Sequence, residues 1–209
     1  MELHINDWKD GSTIPAKFTF GKPGIDEPFA PSDNISPAVS WTDLPEGTQS
    51  LALIVHDSDV PTKPDDVNQP DRQVPADLPR ADFYHWVLVN IPATLTELTE
   101  GAGGTPGITP KGKSIENTPY GLTGENNYTQ WFAGDPDMEG VYGGYDGPCP
   151  PWNDSIIHHY HYTLYALSVP SIDLKGAFTG DDALAAIKPH ILASAVHAGT
   201  YSMNPSVQA

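Results

Sequence analysis

Hydrophobic positions in the first 170 residues occur in short runs separated by clusters of Gly, Pro, Asn and Asp. That is the pattern of strands joined by turns, not of strands alternating with helices. Four runs predict strands: Ala38 to Trp41, Leu51 to Asp57, His85 to Ile91 and Tyr160 to Val169. Two of these, LALIVHD and HWVLVNI, are apolar at nearly every position. Strands of this kind are covered on both faces, so these two are expected at the centre of packed sheets. After Asp181 the period changes. Leu184, Ile187, Ile191, Leu192, Ala195 and Val196 fall at helical spacing and predict a helix over Asp181 to Lys188 and a second over Pro189 to Ala198. Asp181 or Asp182 would cap the first, Pro189 would open the second and Gly199 would end it.

One segment has no period at all. Between Pro61 and Phe83, within an excursion spanning about 61–84, prolines stand at 61, 64, 70, 75 and 79. A structureless connection of this length inside a compact domain is often functional. It could equally be a surface excursion that packs on the body.

Composition narrows the function classes. The 209 residues suit a single domain, 1–209, and 22 prolines with 19 glycines describe a turn-rich globular chain. Acidic side chains number 27 against 10 basic ones, for a formal net charge of -17. Such a surface repels phosphate backbones and anionic bilayers, so no nucleic acid partner and no stable membrane anchoring are expected. No apolar run approaches the roughly 20 residues of a membrane span. The start, MELHINDWKDGS, lacks a signal-peptide core, which makes the cytoplasm the expected compartment. Cys149 is the sole cysteine, which excludes an internal disulfide and a cysteine-based zinc site.

The candidate chemistry lies in YDGPCPPWNDSIIHHYHYTLYAL, from Tyr145 to Leu167. If the strand there extends back through His158, alternation puts His158 and Tyr160 on one face and His159 and His161 on the other. The histidines are then two pairs, and no HExxH or comparable spacing supports a metal centre. Neither a metal nor a cofactor is expected. LALIVHDSD ends in Asp57 and Asp59, and HWVLVNI begins with His85. Three central strands could therefore each bring a polar residue to one edge of a sheet. Taken singly, the two aspartates could merely open a turn before Pro61 and His85 could be a satisfied core histidine.

Together these blocks form a resemblance. Asp57 to Pro61 (DSDVP) with His85 to Asn90 (HWVLVN), and Gly147 to Pro151 (GPCPP) with His158 to Tyr162 (HHYHY), resemble the two signature blocks of the phosphatidylethanolamine-binding protein family, including its bacterial and archaeal Raf-kinase-inhibitor-like branch. Asn34 to Trp41 (NISPAVSW) is similar to the family's N-terminal block, and Gly199 to Tyr201 (GTY) to its closing segment. The resemblance implies an all-β fold of two packed, mainly antiparallel sheets with short C-terminal helices. It implies a small end pocket for phosphate or phospholipid head-group-like anions. Carried over, the ligand-binding residues would be Asp57, His85, Cys149, His158 and Tyr160. The pocket wall would be Asp59, Pro61, Gly147, Pro148, Pro150 and Pro151. Two positions depart from the family pattern. Ser58 replaces the usual Pro, and His159 replaces the usual Arg, exchanging a salt-bridge residue for a pH-sensitive one.

In such a pocket, protonated His85 and His158, the Tyr160 hydroxyl and the Cys149 backbone N–H would donate to a phosphate, phosphoethanolamine or carboxylate ligand. Asp57 would orient a histidine and favour its charged form, not contact the anion. The resemblance thus points to a non-catalytic, regulatory binding protein and leaves room for a homodimer. Two rivals remain open at this level: an inhibitor acting on a kinase or protease as protein partner, and a weak acid-base hydrolase using the Asp/His/Tyr pocket. The hydrolase lacks a G-x-S-x-G elbow, and the cysteine is by default a packing residue.

Overall fold

The structure is a computed structural model that describes residues 1–207. In chain order its elements are β1 (Glu2–His4), β2 (Gly21–Lys22), β3 (Ala30–Pro31), β4 (Val39–Thr42), β5 (Ser50–Pro61), β6 (Arg80–Pro92), β7 (Glu97–Leu98), β8 (Asn117–Thr118), β9 (Gly121–Thr123), α1 (Tyr128–Trp131), β10 (His158–Leu167), α2 (Gly180–Ile187) and β11 (Ile191–Tyr201). A six-stranded antiparallel sheet runs β11-β10-β5-β6-β9-β8, and a three-stranded sheet runs β1-β4-β7.

The two sheets bury the main core between them. Leu51, Leu53 and Val55 of β5, Trp86 and Leu88 of β6 and Leu164 of β10 meet Leu3, Trp41 and Leu98 of the smaller sheet. The alternate residues, Ala52, Ile54, Val87 and Val89, point the other way and are covered by Ile172, Phe178 and the Ala183 and Ile187 face of α2. Coverage on both faces is the physical reason why β5 and β6 lack polar alternation. α2 begins at Thr179, not at an aspartate: the Thr179 side chain accepts from the Asp182 N–H while the Asp182 carboxylate accepts from the Thr179 N–H. Asp182 is the far half of a capping box, and Asp181 accepts from the Tyr84 hydroxyl at 2.7 Å.

The second predicted helix is a strand. Residues 191–201 pair antiparallel with β10 from Leu167 back to His158. Only a short 3-10 turn, Lys188–His190, holds Pro189. The run ILASAV satisfies a helical period and a strand equally well, and the free edge of β10 decides between them. Ile191, Leu192 and Val196, which a helix would bury, are exposed here. Gly199 ends no helix; it sits mid-strand, where a Cβ would come within 2.4 Å of Ile14.

The segment between β5 and β6 is ordered by internal hydrogen bonds. The Asn153 side chain donates to the carbonyl oxygens of Asp66, Gln69 and Arg72 and accepts from the Asn68 N–H at 2.9 Å. Val74 is fully buried and bridges to Asp154. The excursion therefore packs as a wall over the 150–155 turn.

Candidate functional site

A β-bulge sets the central histidine. Val55 pairs with Trp86 but His56 pairs with Tyr84, so His85 is the extra residue on β6. Trp86 points into the main core and Tyr84 into the opposite one. Without the bulge, strict alternation from Trp86 would put His85 on the α2 side. Instead its ring lies beside those of Phe83, Tyr128 and Tyr160, with centroids 5.0, 5.8 and 5.3 Å away. Bulges commonly re-aim a side chain in this way beside functional sites.

His85 is buried, and its Nδ1 donates to the Asp146 carbonyl oxygen at 2.7 Å. Because a carbonyl can only accept, Nδ1 carries the proton, and Nε2 has no protein partner among the described residues. Burial pushes the His85 pKa below the ordinary histidine value, against the opposing pull of Asp57. His85 lines a cavity of about 290 Å³, near the lower end of small-molecule pockets. The only other polar residues on that lining are Asp57 and Asn68. The rest is apolar or aromatic: Phe20, Phe83, Tyr128 and Phe132 within, Phe29 and Trp131 toward solvent, Val60, Pro61, Pro64 and Val67 from the β5–β6 side, and Cys149, Pro150 and Pro151 from the proline turn.

Behind this lining lies a ladder of alternating charge. The His158 side chain is 0% exposed, with Nδ1 2.7 Å from Asp57 Oδ2 and Nε2 3.0 Å from Asp154 Oδ2. Both nitrogens face carboxylates, so the ring is an imidazolium with no donor left for a ligand. Burial lowers the pKa of His158, but the Asp57 charge and the hydrogen bonds to both carboxylates outweigh it and raise the value to about 9. Burial likewise opposes ionisation of Asp57 and Asp154, yet their bonds to His158, and for Asp154 also to Arg80, hold both below the usual carboxylate range. Arg80 closes the ladder, with Nη1 2.6 Å from Asp154 Oδ2 and Nη2 3.1 Å from Oδ1. From end to end the charges alternate and cancel.

A second network holds the turn that follows the cavity. Buried Asp146 accepts from Asn34 and Asn126 side chains, each at 2.8 Å, and pairs with Lys113 Nζ at 2.9 Å. Asn34, in the left-handed region at φ 51, accepts from the Gly147 N–H at 2.8 Å. Gly147 could be nothing larger, since a Cβ there would lie 2.0 Å from the Phe18 carbonyl oxygen. Its own carbonyl accepts from the Tyr128 hydroxyl at 2.9 Å.

The sequence-derived residues thus separate into two groups. Asp57, His85, Cys149, Pro61, Pro150 and Pro151 line the cavity. His158 and Tyr160 stand behind it, and the Tyr160 hydroxyl, fully buried, has no hydrogen-bond partner among the described residues. Gly147 and Pro148 shape the turn from behind; the Pro148 carbonyl accepts from Phe20 and Gly21. Asp59 turns away: its Oδ2 accepts from both the backbone and the Nδ1 of His159 at 2.8 Å. In place of the usual Arg, His159 thus has an acidic hydrogen-bond partner in Asp59. The Cys149 thiol is pushed up to about 12 by burial and sits 3.7 Å from the Met203 sulfur, the setting of a packing thiol. Sequence reasoning missed Arg80, Asp154, Asp146 and the aromatic lining. Asp154 carried a signal, four residues before His158 in the same quoted stretch.

Comparison with known proteins agrees with this architecture. The sequence profile of the family described as phosphatidylethanolamine-binding protein matches residues 4–202. The UPF0098 protein YbhB of Escherichia coli (strain K12) is 30% identical over 195 residues, covering 93% of this chain and 96% of that protein. A UPF0098 protein of Methanothermobacter thermautotrophicus is 29% identical over 201 residues, covering 96% and 98%. Among solved structures, YbcL of E. coli, described as a member of the mammalian PEBP family, superposes with a TM-score of 0.65 at 25% identity, covering 96% and 97%. Matched along nearly its whole length in sequence and in fold, this chain belongs to the phosphatidylethanolamine-binding protein family.

Proposed function

We propose that the cavity is a non-catalytic binding site for a small ligand with an anionic phosphate or carboxylate head and an apolar or aromatic remainder. The observation that carries this reading is His85: its Nδ1 is fixed on a carbonyl, and its Nε2, without a partner among the described residues, faces a largely apolar cavity. The charge of Asp57 does not oppose an anion strongly, because His158 neutralises it within hydrogen-bond distance. Protonated His85 would then be the one uncompensated charge on the floor. The aromatic walls take the remainder of the ligand by burial of apolar area.

One charge-assisted hydrogen bond contributes on the order of 1.5–3 kcal/mol. With modest apolar burial and the cost of association, micromolar to millimolar affinity is expected. The sign of the pH dependence follows from His85. Its pKa is depressed in the free site, and an anion at Nε2 raises it, so binding takes up a proton and affinity increases as pH falls through the range below about 6.5.

Thermal shift and calorimetry with phenyl phosphate and phosphoethanolamine at pH 5.5 and 8.5, both chosen to bracket the histidine range, test this. Stabilisation that is stronger at the lower pH and absent in His85→Ala is the expected result. Equal affinity at the two values would refute the protonated-histidine reading. The free Nε2 also favours a second reading, general-base hydrolysis. Turnover of a phosphoester or peptide panel that vanishes in His85→Ala would establish it in place of simple binding.

A further inference from the structure

The floor and the mouth of the cavity differ in chemistry. At the floor, His85 Nε2 is the one side-chain donor without a partner among the described residues. Asp57 can only accept, the Tyr128 hydroxyl donates to the Gly147 carbonyl, and Pro150 and Pro151 have no N–H. A phosphate brings about two negative charges and three acceptor oxygens, most of which this floor would leave unsatisfied. A carboxylate brings a single charge, which one charge-assisted bond matches.

The mouth extends beyond the reach of a small head group. Phe29 and Trp131 are 41% and 49% exposed there. Phe29 is nonetheless fixed in place. A Cβ on Gly21 would lie 2.5 Å from Phe29 Cε2 and 2.7 Å from Cys149 Sγ, so the ring rests on the Gly21 backbone beside the proline turn. Exposed Asn68 accepts from the Trp152 N–H through Oδ1, which leaves its Nδ2 and the Trp131 Nε1 as donors with no partner among the described residues. Donors so placed suit the carbonyls of a peptide main chain. The surrounding segments are acidic: Asp26 and Glu27 stand before Phe29, Asp65 beside Pro64, and Asp135 and Asp137 beyond Phe132. Lys22, Lys63 and Lys111, the last bonded to the Pro136 carbonyl, are fewer, and Arg72 is spent on Asp66. Such a rim attracts a cationic chain.

We propose that the cavity captures the C-terminus of a partner polypeptide, with its free carboxylate at His85 Nε2, an apolar or aromatic last side chain among Phe20, Phe83 and Phe132, and basic residues upstream along the acidic rim. The proposal rests on the anion-binding reading of this cavity and gives that reading a partner. Capture of a chain end by its carboxylate is a recurrent mode of recognition, here with a histidine as the donor. Asn68 and Trp131 donate to the carbonyls behind the last residue, and the Phe29 and Trp131 rings flank the departing chain.

Fluorescence anisotropy with the full chain at pH 5.5, chosen below the ordinary histidine value, tests this. The probes are a labelled peptide ending Lys-Lys-Ala-Phe with a free carboxylate, the same peptide as its C-terminal amide, and one ending Glu-Glu-Ala-Phe. The basic free acid is expected to bind, to be displaced by phenyl phosphate, and to lose roughly tenfold or more in affinity as the amide or in His85→Ala. Asp26→Lys combined with Glu27→Lys, both on exposed positions, should weaken the basic peptide and narrow its advantage over the acidic one. Equal affinity for acid and amide, or undiminished binding to a His85→Ala variant with wild-type circular dichroism, overturns the proposal. So does the absence of peptide binding where phenyl phosphate still binds through His85, an outcome that leaves the anion site standing. Failure of peptide and phosphate alike overturns both.

Discussion

His158 shows how one residue can be indispensable to a site without touching what the site binds. It is a buried cation whose two nitrogens are both spent on carboxylates, and its charge makes the neighbouring Asp57 tolerable beside a bound anion. Removing it would strand Asp57 and Asp154, both buried, with Arg80 compensating only the latter. His158→Ala is therefore expected to cost about 3–5 kcal/mol of stability, the cost of an orphaned buried charge, measurable by urea denaturation. The pH dependence has a definite sign. The folded pKa of His158 is raised to about 9, so its contribution is full below the unfolded value near 6.5 and is lost as pH rises through about 9. That contribution is on the order of 3 kcal/mol. Wild-type stability should fall across this window while His158→Ala stays flat. A wild type equally stable at both ends would contradict the buried-imidazolium assignment.

Among the elements, two irregular ones do the most to build the cavity. The bulge in β6 turns His85 from the α2 side to the cavity, a change no periodicity can report because it consists of one residue out of phase. The connection between β5 and β6, read as a structureless excursion, supplies Pro64, Val67 and Asn68 to the lining and is held from inside by Asn153. Asn153→Ala would leave three carbonyl acceptors and one N–H without their partner. Increased hydrogen exchange and proteolysis confined to residues 62–79 are expected, together with weaker ligand binding and a loss of about 1–3 kcal/mol. Protection equal to the wild type in that segment would mean that the proline framework alone orders it. β11 is the opposite case. Its residues suit a helix or a strand, and the open edge of β10 supplies the hydrogen bonds that decide for the strand.

At the scale of the whole molecule, net charge sets how the protein responds to salt. The net charge of -17 disfavours compactness and contact between copies through self-repulsion. Raising ionic strength shortens the Debye length from about 30 Å at 0.01 M to about 8 Å at 0.15 M. Anion binding at His85, a charge-assisted contact, should therefore weaken as salt is added. Calorimetry over a salt series checks this, and an affinity unchanged from low to physiological salt would contradict a charge-assisted contact. Among the described residues no helix is long and apolar enough to cross a membrane.

The amino-acid sequence alone determined which segments form the central strands and which residue types meet at their ends. A doubly buried strand must be apolar throughout, and period two assigns His158 and Tyr160 to one face whatever surrounds them. Tertiary structure alone decided what those groups do. The pairing of His158 with Asp154 and Asp57, the closing of the ladder by Arg80 and the bulge at His85 depend on contacts between residues as many as 101 positions apart. Local pattern contains no information on such distances. The fate of residues 191–201 was decided in the same way, by a neighbouring strand whose hydrogen-bonding groups needed partners.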